Sequence, residues 1–422
     1  MDYTMAMNYI NEKTKLGVVP GLVNVKELLK RLDNPQNNVK CIHIAGTNGK
    51  GSIFAYLQEI LMEAGYNVGR YISPTIFEYL ERFQINKKYM SENAFSEYVD
   101  IVSQKVEEML EDGFSSPTAF EIETAIAFLY FFREKVDYVL VECGMGGLLD
   151  ATNVIDNPYM VVLASISMDH MQFLGDSLTE IATQKVGIIK ENTICVSYPQ
   201  VDEVENVIEN KCKQMNAMLN KVDSKKVNNI EISLGSTRFA YENIEYATTL
   251  IGEHQIYNAV TAITAAGLIP DISHENIAEG IRKTQWHGRM TKINNNPLTF
   301  VDGAHNEKAW LALRNTINKY FTNRRIIYII GVLKDKEYEK MIEILKETMY
   351  YAVAITPNSP RGLDKDILAG LLADRGVEVA VANDSTEALR LAEKKASGED
   401  VIMVCGSLSF LSEYLRCGGI TS

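Results

Sequence analysis

The chain has 422 residues, and its content of 46% hydrophobic and 23% charged side chains is that of an ordinary globular protein rather than of a disordered or fibrous one. Its 42 basic and 55 acidic side chains give a net charge of -13, which disfavours binding to nucleic acid or to an anionic membrane surface. Neither a secretory signal pattern nor an apolar run of about 18 residues is present, so we expect a cytoplasmic protein without a membrane partner.

The first part of the chain predicts a strand, a glycine-rich loop and a helix in succession. The apolar run VKCIHIA precedes the loop GTNGKGS, and the helical pattern FAYLQEILMEAG ends at Gly65. Further along, AFEIETAIAFLYFFREKV predicts a buried helix, whereas DYVLVECGMGG and PYMVVLASIS predict short apolar strands. Apolar strands that are separated by helices are typical of a parallel sheet covered on both faces.

A second α/β unit is predicted from Leu298 onwards. The segment KINNNPLTF breaks the pattern with three asparagines and a proline, which indicates a turn or a linker. Strand and helix then alternate through LTFVDGAHN, RIIYIIGVL, YAVAIT, VEVAVAN and VIMVCGSLSF, as in a small doubly wound domain. We therefore expect an α/β protein of two domains, residues 1–294 with a mostly parallel sheet and residues 297–422 with a smaller Rossmann-like fold.

The six cysteines and six histidines are scattered along the chain. They show neither the CxxC spacing nor the HExxH pattern that indicates a zinc site, and no dense pairing that indicates a disulfide framework. We therefore expect reduced thiols, and we expect any metal to be bound by oxygen ligands.

The loop in HIAGTNGKGS predicts a phosphate-binding site. Its glycines let backbone amides approach phosphate oxygens at the start of a helix, and Lys50 adds a positive charge. Either Ser52 or Thr47 offers a hydroxyl for Mg²⁺, although the spacing departs from the standard GxxxxGK[ST] motif. A tight turn with a solvated lysine is the alternative, but a strand before the loop and a helix after it favour a nucleotide. The predicted contacts are Gly46, Thr47, Asn48, Gly49, Lys50, Gly51 and Ser52.

Nine ordered stretches extend this pattern over nearly the whole chain: NPQNNVKCIHIAGTNGKGS, YISPTIFEYLERFQIN, TAFEIETAIAF, VECGMGGLLDATN, SMDHMQFLGDSLTEIATQKVGIIK, GEHQIYNAV, WHGRM, VDGAHN and CGSLSF. Together they resemble the Mur ligase superfamily, and within it the folylpolyglutamate synthase and dihydrofolate synthase family. The resemblance implies a P-loop ATPase domain followed by a Rossmann-like C-terminal domain, in agreement with the two units predicted above.

The resemblance also implies a reaction. An ATP-dependent ligase of this family adds L-glutamate to tetrahydrofolate and, where it is bifunctional, also to dihydropteroate. The acid first attacks the γ-phosphate of ATP, and the amine of glutamate then displaces phosphate from the acyl phosphate. Both steps carry concentrated negative charge, so cations and amides are needed more than a strong base. The implied partners are therefore small molecules, namely ATP, L-glutamate and a reduced folate or dihydropteroate, and the implied assembly is a monomer.

By the same resemblance, Ser73, Glu142 and His170 are ligands of two Mg²⁺ ions. Glu142 is also favoured by its place at the end of an apolar strand, where α/β sheets bind ligands, although a buried structural carboxylate is the alternative. His170 taken alone would be a satisfied polar residue, since magnesium prefers oxygen. Lys185 falls where the superfamily usually carries a carbamylated lysine, whereas alone it would be a solvated helix residue. Together with Lys50, His170 and Lys185 make up the implied catalytic residues.

The nucleoside part of ATP is assigned to four further residues, Asn258, Arg289, Asp302 and His305. Arg289 can stabilise the charge of the transferring phosphate, and Asp302 can accept hydrogen bonds from ribose hydroxyls. Without the resemblance, WHGRM would be an exposed turn, and DGAHN would be a helix start capped by Asn306 or Asp302.

The folate-type substrate is assigned to Thr118, Phe120 and Glu121 in TAFE and to Asp150 in LLDATN. Phe120 can stack on a flat pterin ring, and Asp150 can pair with the donor edge of that ring, although Phe120 as a simple core residue is the alternative. Leu148 stands where the family usually has arginine, so the way in which an anionic part of the substrate is held stays open.

Three other functions remain as alternatives. A different Mur-type amino-acid ligase would act on a cell-wall nucleotide precursor, but GTNGKGS, TAFE and DGAHN favour the folate branch. A P-loop phosphotransferase would split ATP without forming an amide. A Rossmann oxidoreductase is disfavoured because no GxGxxG motif follows the early strands.

Overall fold

The computed structural model describes residues 1–17 and 19–421. Their packing divides the chain into two compact units, each made of three separate stretches. Unit 1 consists of Met1–Thr75, Tyr79–Lys226 and Tyr257–Lys283, and unit 2 consists of Ile76–Glu78, Val227–Ile256 and Thr284–Ser422.

Unit 1 is built on an eight-stranded sheet. Its strands are β1 (Cys41–Ala45), β2 (Val68–Tyr71), β3 (Phe83–Ile85), β4 (Lys88–Tyr89), β5 (Tyr138–Glu142), β6 (Met160–Leu163), β7 (Ile194–Ser197) and β8 (Met218–Lys221). They lie in the order β4-β3-β2-β5-β1-β6-β7-β8. The six neighbouring strands β2, β5, β1, β6, β7 and β8 pair in parallel, whereas β3 and β4 pair antiparallel at one edge.

Helices cover both faces of this sheet. They are α1 (Tyr3–Thr14), α2 (Val23–Lys30), α3 (Lys50–Glu63), α4 (Glu92–Glu111), α5 (Ala119–Arg133), α6 (Met171–Leu174), α7 (Leu178–Lys185), α8 (Asp202–Gln214), most of α9 (Glu253–Ala266), and α10 (His274–Lys283). One apolar core joins α1, α2, α4 and α5 to the sheet, and another joins α7 and α8 to the same face, because Val141 of the first core and Val161 of the second are both in register with His43. The predicted buried helix of AFEIETAIAFLYFFREKV is therefore confirmed as α5, which ends at Arg133.

Strand β1 lies at the centre of the sheet, between β5 and β6, and all five of its residues are buried. Ile44 is in register with Glu142 on one side and with Val162 on the other. Because parallel strands end at the same edge, the loop after β1 lies beside Glu142 and beside the segment that follows β6. This edge brings together most of the residues predicted for the site.

Unit 2 contains two sheets. The smaller is an antiparallel meander of β9 (Val227–Ser233), β10 (Ser236–Tyr241) and β11 (Ile244–Thr248). The larger has the order β12-β13-β17-β14-β15-β16, from β12 (Thr291–Asn295), β13 (Leu298–Val301), β14 (Ile326–Ile330), β15 (Met349–Ala354), β16 (Val379–Val381) and β17 (Val401–Cys405). Its helices are α11 (Glu307–Tyr320), α12 (Tyr338–Leu345), α13 (Lys365–Ala373), α14 (Ser385–Lys395) and α15 (Leu411–Cys417).

The predicted α/β class, with a mostly parallel sheet and a second, smaller α/β domain, is confirmed by this topology. The division predicted at residues 294–297 falls instead on the turn of the β12-β13 hairpin, within unit 2. Because these two strands pair antiparallel, the asparagine-rich turn connects neighbouring strands of one sheet and does not link two domains. Among the described residues, no helix has both the length and the apolar character that crossing a membrane requires.

Candidate active site

The loop between β1 and α3 has the backbone of a phosphate-binding turn. Gly46 and Gly49 have φ angles of 147° and 90°, in the region that favours glycine. A Cβ on Gly46 would lie 2.7 Å from Ala164 Cβ, and one on Gly49 would lie 3.2 Å from Asn258 Cγ. Helix α3 starts at Lys50, so its first amides point out of the helix without partners inside it. This arrangement is suited to phosphate.

The segment after β6 fixes this loop in place. The backbone amides of Thr47 and Asn48 donate to the carbonyl of Ser165, at 2.8 and 3.1 Å. The Thr47 hydroxyl donates to the Ser167 carbonyl at 2.9 Å and accepts from the Ser167 amide at 3.1 Å. Thr47 is therefore engaged in holding the loop.

Ser52 is in the opposite situation to Thr47. Its side chain is 1% exposed, and its Oγ has no hydrogen-bond partner among the described residues. Buried hydroxyls are nearly always paired, so this unpaired one is available to a ligand beside the turn. Of the two hydroxyls that the sequence left open for Mg²⁺, the structure favours Ser52.

Two lysines converge on one carbonyl of the loop. Lys50 Nζ donates to the Gly46 carbonyl at 3.2 Å, and Lys185 Nζ donates to the same oxygen at 3.0 Å. Lys50 Nζ also lies 3.8 Å from the Glu142 carboxylate. The structure thus brings together Lys50, Lys185 and Glu142, which are far apart in sequence.

Lys185, at the end of α7, is buried, with only 4% of its surface exposed. Burial, together with the nearby positive charge of Lys50, lowers the pKa of Lys185 to about 7. A large fraction of its amine is therefore unprotonated at neutral pH, unlike an ordinary lysine. The alternative of a solvated helix residue does not hold for this side chain.

The other implied metal ligands lie in loops at the ends of strands. Ser73 follows β2 and precedes a cis proline, and His170 has a left-handed backbone with φ 51°. The His170 amide donates to Asp169 Oδ1 at 2.9 Å, and His170 Nε2 lies 3.9 Å from Asp169 Oδ2. Within residues 1–17 and 19–421, no group of three or more His, Cys, Asp or Glu side chains has the arrangement of a metal site. The magnesium ligand set therefore stays a prediction.

Thr118 and Glu121 form the capping box of helix α5. The Thr118 amide and hydroxyl donate to Glu121 Oε2, at 2.8 and 2.9 Å, and the Glu121 amide donates back to the Thr118 hydroxyl at 3.4 Å. These bonds satisfy the first turn of the helix and set the direction of the chain that carries Phe120. Contacts from Thr118 and Glu121 to a substrate stay a prediction.

Phe120 and Asp150 meet around Gly144. A Cβ on Gly144 would lie 2.8 Å from Phe120 Cζ and 3.3 Å from Asp150 Oδ2. The Phe120 ring stacks on Tyr71 with centroids 6.0 Å apart and planes inclined by 21°. Phe120 is partly buried and packs against the apolar core of unit 1, so its contact with a pterin ring stays a prediction. The structure therefore places side by side the two residues predicted for the pterin ring.

Asp150 is itself held by its own loop. The Met145 amide donates to Oδ2 at 2.7 Å, and the amide and hydroxyl of Thr152 donate to Oδ1 at 3.0 and 2.5 Å. Burial raises the pKa of Asp150, although these bonds act against it. Leu148, in the same loop, is 41% exposed, so the position where the family usually has arginine presents an apolar side chain to solvent.

His43 was missed by the sequence analysis. It lies in the centre of β1, fully buried, with Nε2 2.8 Å from Thr152 Oγ1 and 3.0 Å from Cys143 Sγ. Burial and the charge of Lys190 lower its pKa to about 3, so the ring is neutral. The signal in the sequence that could have identified it is a histidine inside an apolar strand, directly before a glycine-rich loop.

Unit 2 holds Arg289, Asp302 and His305 around one turn. The Met290 and Ala304 amides donate to the two oxygens of Asp302, each at 2.8 Å. Arg289 Nη1 donates to the Gly288 carbonyl at 2.8 Å, and His305 Nδ1 lies 2.7 Å from the Gly303 carbonyl. Asp302 thus braces the turn, while Asn306, rather than Asp302, caps helix α11.

His254 is a second histidine that the sequence analysis did not single out. Its pKa is lowered by burial, against the opposing influence of Asp302, and Arg289 lowers it further. His254 therefore interacts electrostatically with Asp302 and Arg289, two of the residues predicted for the nucleoside. Its motif, GEHQIYNAV, had drawn attention only to Asn258, whose side chain lies against Gly49 in unit 1.

Comparisons with known proteins show the family of this chain. Residues 44–266 match the family described as the Mur ligase middle domain, and residues 288–408 match the Mur ligase glutamate ligase domain. The chain is 35% identical to a dihydrofolate synthase/folylpolyglutamate synthase of Bacillus subtilis, over 98% of both chains.

Solved structures are similar over the whole chain. A Mycobacterium tuberculosis folylpolyglutamate synthase complexed with ADP and AMPPCP superimposes with a TM-score of 0.90 at 27% identity, covering 100% of both chains. An E. coli protein, FolC in complex with DHPP and ADP, gives a TM-score of 0.85 at 26% identity over 97% of both chains.

Proposed function

This chain belongs to the Mur ligase family, among its folylpolyglutamate and dihydrofolate synthases, and we propose that the residues around the loop after β1 carry its ATP-dependent ligation of L-glutamate. The resemblance found in the sequence is thereby confirmed. The observation that supports the proposal most is the convergence of Lys50 and Lys185 on the Gly46 carbonyl, beside Glu142. The Lys50 cation at a helix start fits the transfer of a phosphoryl group.

The polyphosphate of ATP binds at the start of α3. The amides of Lys50, Gly51 and Ser52 donate to phosphate oxygens, and the Lys50 ammonium leaves the Gly46 carbonyl to neutralise the charge that grows on the transferring phosphoryl group. The Asn258 side chain lies against Gly49 and closes one side of the turn. These groups position the polyphosphate and neutralise its charge, as the reaction requires.

The acid substrate binds near Gly144. The pterin ring stacks on Phe120, which Tyr71 supports from behind, and its N–H edge donates to Asp150. The carboxylate of the substrate attacks the γ-phosphate of ATP, and the amine of glutamate then displaces phosphate from the acyl phosphate. The substrates are a reduced folate and dihydropteroate, so that the chain serves both ligations.

Magnesium fits the donors of this site. The unpaired, buried Ser52 hydroxyl and the Glu142 carboxylate offer oxygen atoms, as magnesium requires, and Ser73 and His170 complete the proposed set. When bound, Mg²⁺ supplies the positive charge that balances the β- and γ-phosphates. The protein fixes Ser52 in the first turn of α3 and Glu142 at the end of β5, so both donors are held by regular structure.

Lys185 is proposed to be carbamylated. Carbon dioxide adds to an unprotonated amine, and the lowered pKa of about 7 supplies that form at neutral pH. The product is an anion on a side chain that now lies beside Lys50 and the Gly46 carbonyl. A ¹³C NMR signal of a carbamate after exchange with labelled bicarbonate, absent in Lys185→Met, would support this modification, and no signal in the parent protein would contradict it.

In unit 2, the proposed nucleotide contacts are Arg289, Asp302 and His305. Asp302 is held by two backbone amides, so its carboxylate orientation is fixed. The protein is further proposed to be a cytoplasmic monomer. Light scattering of the purified protein, with and without ATP, measures that assembly directly.

The experiment that tests the function is a mass spectrum of the products after incubation with Mg²⁺, ATP, L-glutamate and either dihydropteroate or tetrahydrofolate. A mass gain of one glutamate on each acid is expected. The Lys50→Met variant should form no product, whereas Lys88→Met, which changes an exposed lysine of β4, should match the parent protein. ATP hydrolysis with no mass gain on either acid would refute the ligase.

A further inference from the structure

A line of three polar side chains crosses the interior of unit 1, from strand β1 to the loop of Asp150. His43 Nε2 lies 2.8 Å from Thr152 Oγ1, which lies 2.5 Å from Asp150 Oδ1. His43 and Thr152 are 0% exposed, and Asp150 is 7% exposed. Polar groups buried in succession cost free energy unless each finds a partner, and here each partner is the next group in the line.

The direction of the hydrogen bonds follows from the unpaired atom of the ring. His43 Nδ1 is buried and has no partner among the described residues. A buried N–H without an acceptor costs more than an unprotonated ring nitrogen, so the proton of the neutral ring is on Nε2. Nε2 therefore donates to the Thr152 hydroxyl, and the hydroxyl donates to the Asp150 carboxylate.

This line determines where the carboxylate of Asp150 lies. Oδ2 is oriented by the Met145 amide, whereas Oδ1 is oriented by Thr152 through both its amide and its hydroxyl. The hydroxyl proton is directed at Oδ1 because the His43 N–H occupies the lone pair on its other side. The carboxylate is thereby held at the side of Gly144 where Phe120 also lies.

The line also connects two parts of the site. His43 lies on β1, which pairs with β5 through Val141 and with β6 through Val161, and β1 continues directly into the phosphate-binding turn. Cys143 Sγ, 3.0 Å from the same Nε2, belongs to the residue that follows Glu142. Side-chain contacts of His43 thus hold the central strand β1 and the Asp150 loop in a fixed position relative to each other.

We propose that His43 and Thr152 are positioning residues that orient the Asp150 carboxylate for the N–H donors of the acid substrate. This inference rests on the proposed role of Asp150 in the function above. Neither residue contacts the substrate, so both act through Asp150 alone. Their loss should weaken binding of the acid and leave binding of ATP unchanged.

The test compares matched variants in steady-state kinetics, with KM measured separately for the acid and for ATP. Thr152→Val keeps the shape and removes the hydroxyl, whereas Thr152→Ser keeps the hydroxyl. His43→Leu removes the donor, whereas His43→Gln keeps an N–H near the position of Nε2. We expect Thr152→Val and His43→Leu to raise KM for the acid on the order of tenfold, with KM for ATP unchanged and near-parental values in Thr152→Ser and His43→Gln.

Asp150→Asn is measured beside these variants. If it raises KM for the acid while Thr152→Val and His43→Leu do not, the positioning role is overturned and the proposed function stands. If Asp150→Asn leaves KM for the acid unchanged, the role of Asp150 fails, and this inference fails with it. A purely structural role would also overturn the proposal. In that case KM for the acid and KM for ATP would change together, the melting temperature would fall, and Thr152→Val and Thr152→Ser would show the same changes.

Discussion

Lys185 Nζ donates a hydrogen bond to the Gly46 carbonyl at 3.0 Å, although the two residues are 139 positions apart. The lysine is buried at the end of α7, and the carbonyl belongs to the phosphate-binding turn. Lys50 donates to the same carbonyl, so two amino groups share one acceptor. The burial of Lys185 and the positive charge of Lys50 beside it link the stability of the protein to pH.

Replacement of Lys185 by Met should stabilise the protein near neutral pH in buffer freed of carbon dioxide. The pKa of Lys185 is about 7 in the folded chain and 10.5 in the unfolded chain, so unfolding takes up a proton between these values. The stability of the parent protein therefore rises with pH through that window. The gain from Met is largest below pH 7, up to roughly 5 kcal/mol as an upper bound, and fades as pH approaches 10.5.

Urea unfolding at several pH values measures this difference directly. Lys213→Met, which changes an exposed lysine at the end of α8, serves as the control and should show no such pH dependence. The Lys185 variant should at the same time lose turnover. A stability difference independent of pH from 6 to about 10 would mean that the pKa of Lys185 is not lowered by burial.

The Gly49→Ala variant should lose ATP binding. Its Cβ would contact the Asn258 side chain, and the φ of 90° strains any residue other than glycine. Gly65→Ala is a matched control, because Gly65 has a similar φ of 86° but no atom within 4 Å of the added Cβ. Both variants should therefore lose about 1 kcal/mol of stability from backbone strain, but only Gly49→Ala should abolish ATP binding in calorimetry. If Gly49→Ala and Gly65→Ala bound ATP with equal affinity, the close contact between position 49 and Asn258 would be contradicted.

The Gly144→Ala variant should weaken binding of the acid substrate. A Cβ at this position would lie 2.8 Å from Phe120 Cζ and 3.3 Å from Asp150 Oδ2, so both side chains must shift. We expect KM for the acid to rise roughly tenfold, with little change in KM for ATP. Gly370→Ala in α13, which meets no atom within 4 Å, should instead stabilise the protein by about 0.5–1 kcal/mol and leave kinetics unchanged. A parental KM for the acid in Gly144→Ala would contradict the proposal that Phe120 and Asp150 bind the acid substrate.

The strand, the loop and α3 could be predicted from the sequence because their signals are local. Glycines at 46 and 49, an apolar run before them and a helical pattern after them all lie within about twenty-five residues. The partners of this loop could not be predicted in the same way. Lys185 and the Ser165 carbonyl reach it only because β6 and α7 lie next to β1 in the folded sheet.

The missed features have similar physical reasons. The strands β9 to β11 have mostly exposed residues on β9, so their sequence reads as a charged, variable segment. His43 reads as one polar residue inside an apolar strand, and its partners Thr152 and Cys143 are about a hundred positions away. Burial of a polar residue is visible only when the fold shows what surrounds it.

Ser52→Ala should reduce turnover without a loss of stability. Its Oγ has no partner among the described residues, so removing it breaks no hydrogen bond in the protein, and the melting temperature should stay close to that of the parent. Thr47→Val should behave in the opposite way, because it removes the two bonds to Ser167 and should cost about 1–2 kcal/mol of stability. Turnover measured against Mg²⁺ concentration separates the two cases: Ser52→Ala should need at least tenfold more Mg²⁺ for half-maximal rate, on the order expected for one lost ligand. Parental Mg²⁺ dependence in Ser52→Ala would exclude its hydroxyl from the metal site and leave Ser73, Glu142 and His170 as the proposed ligands.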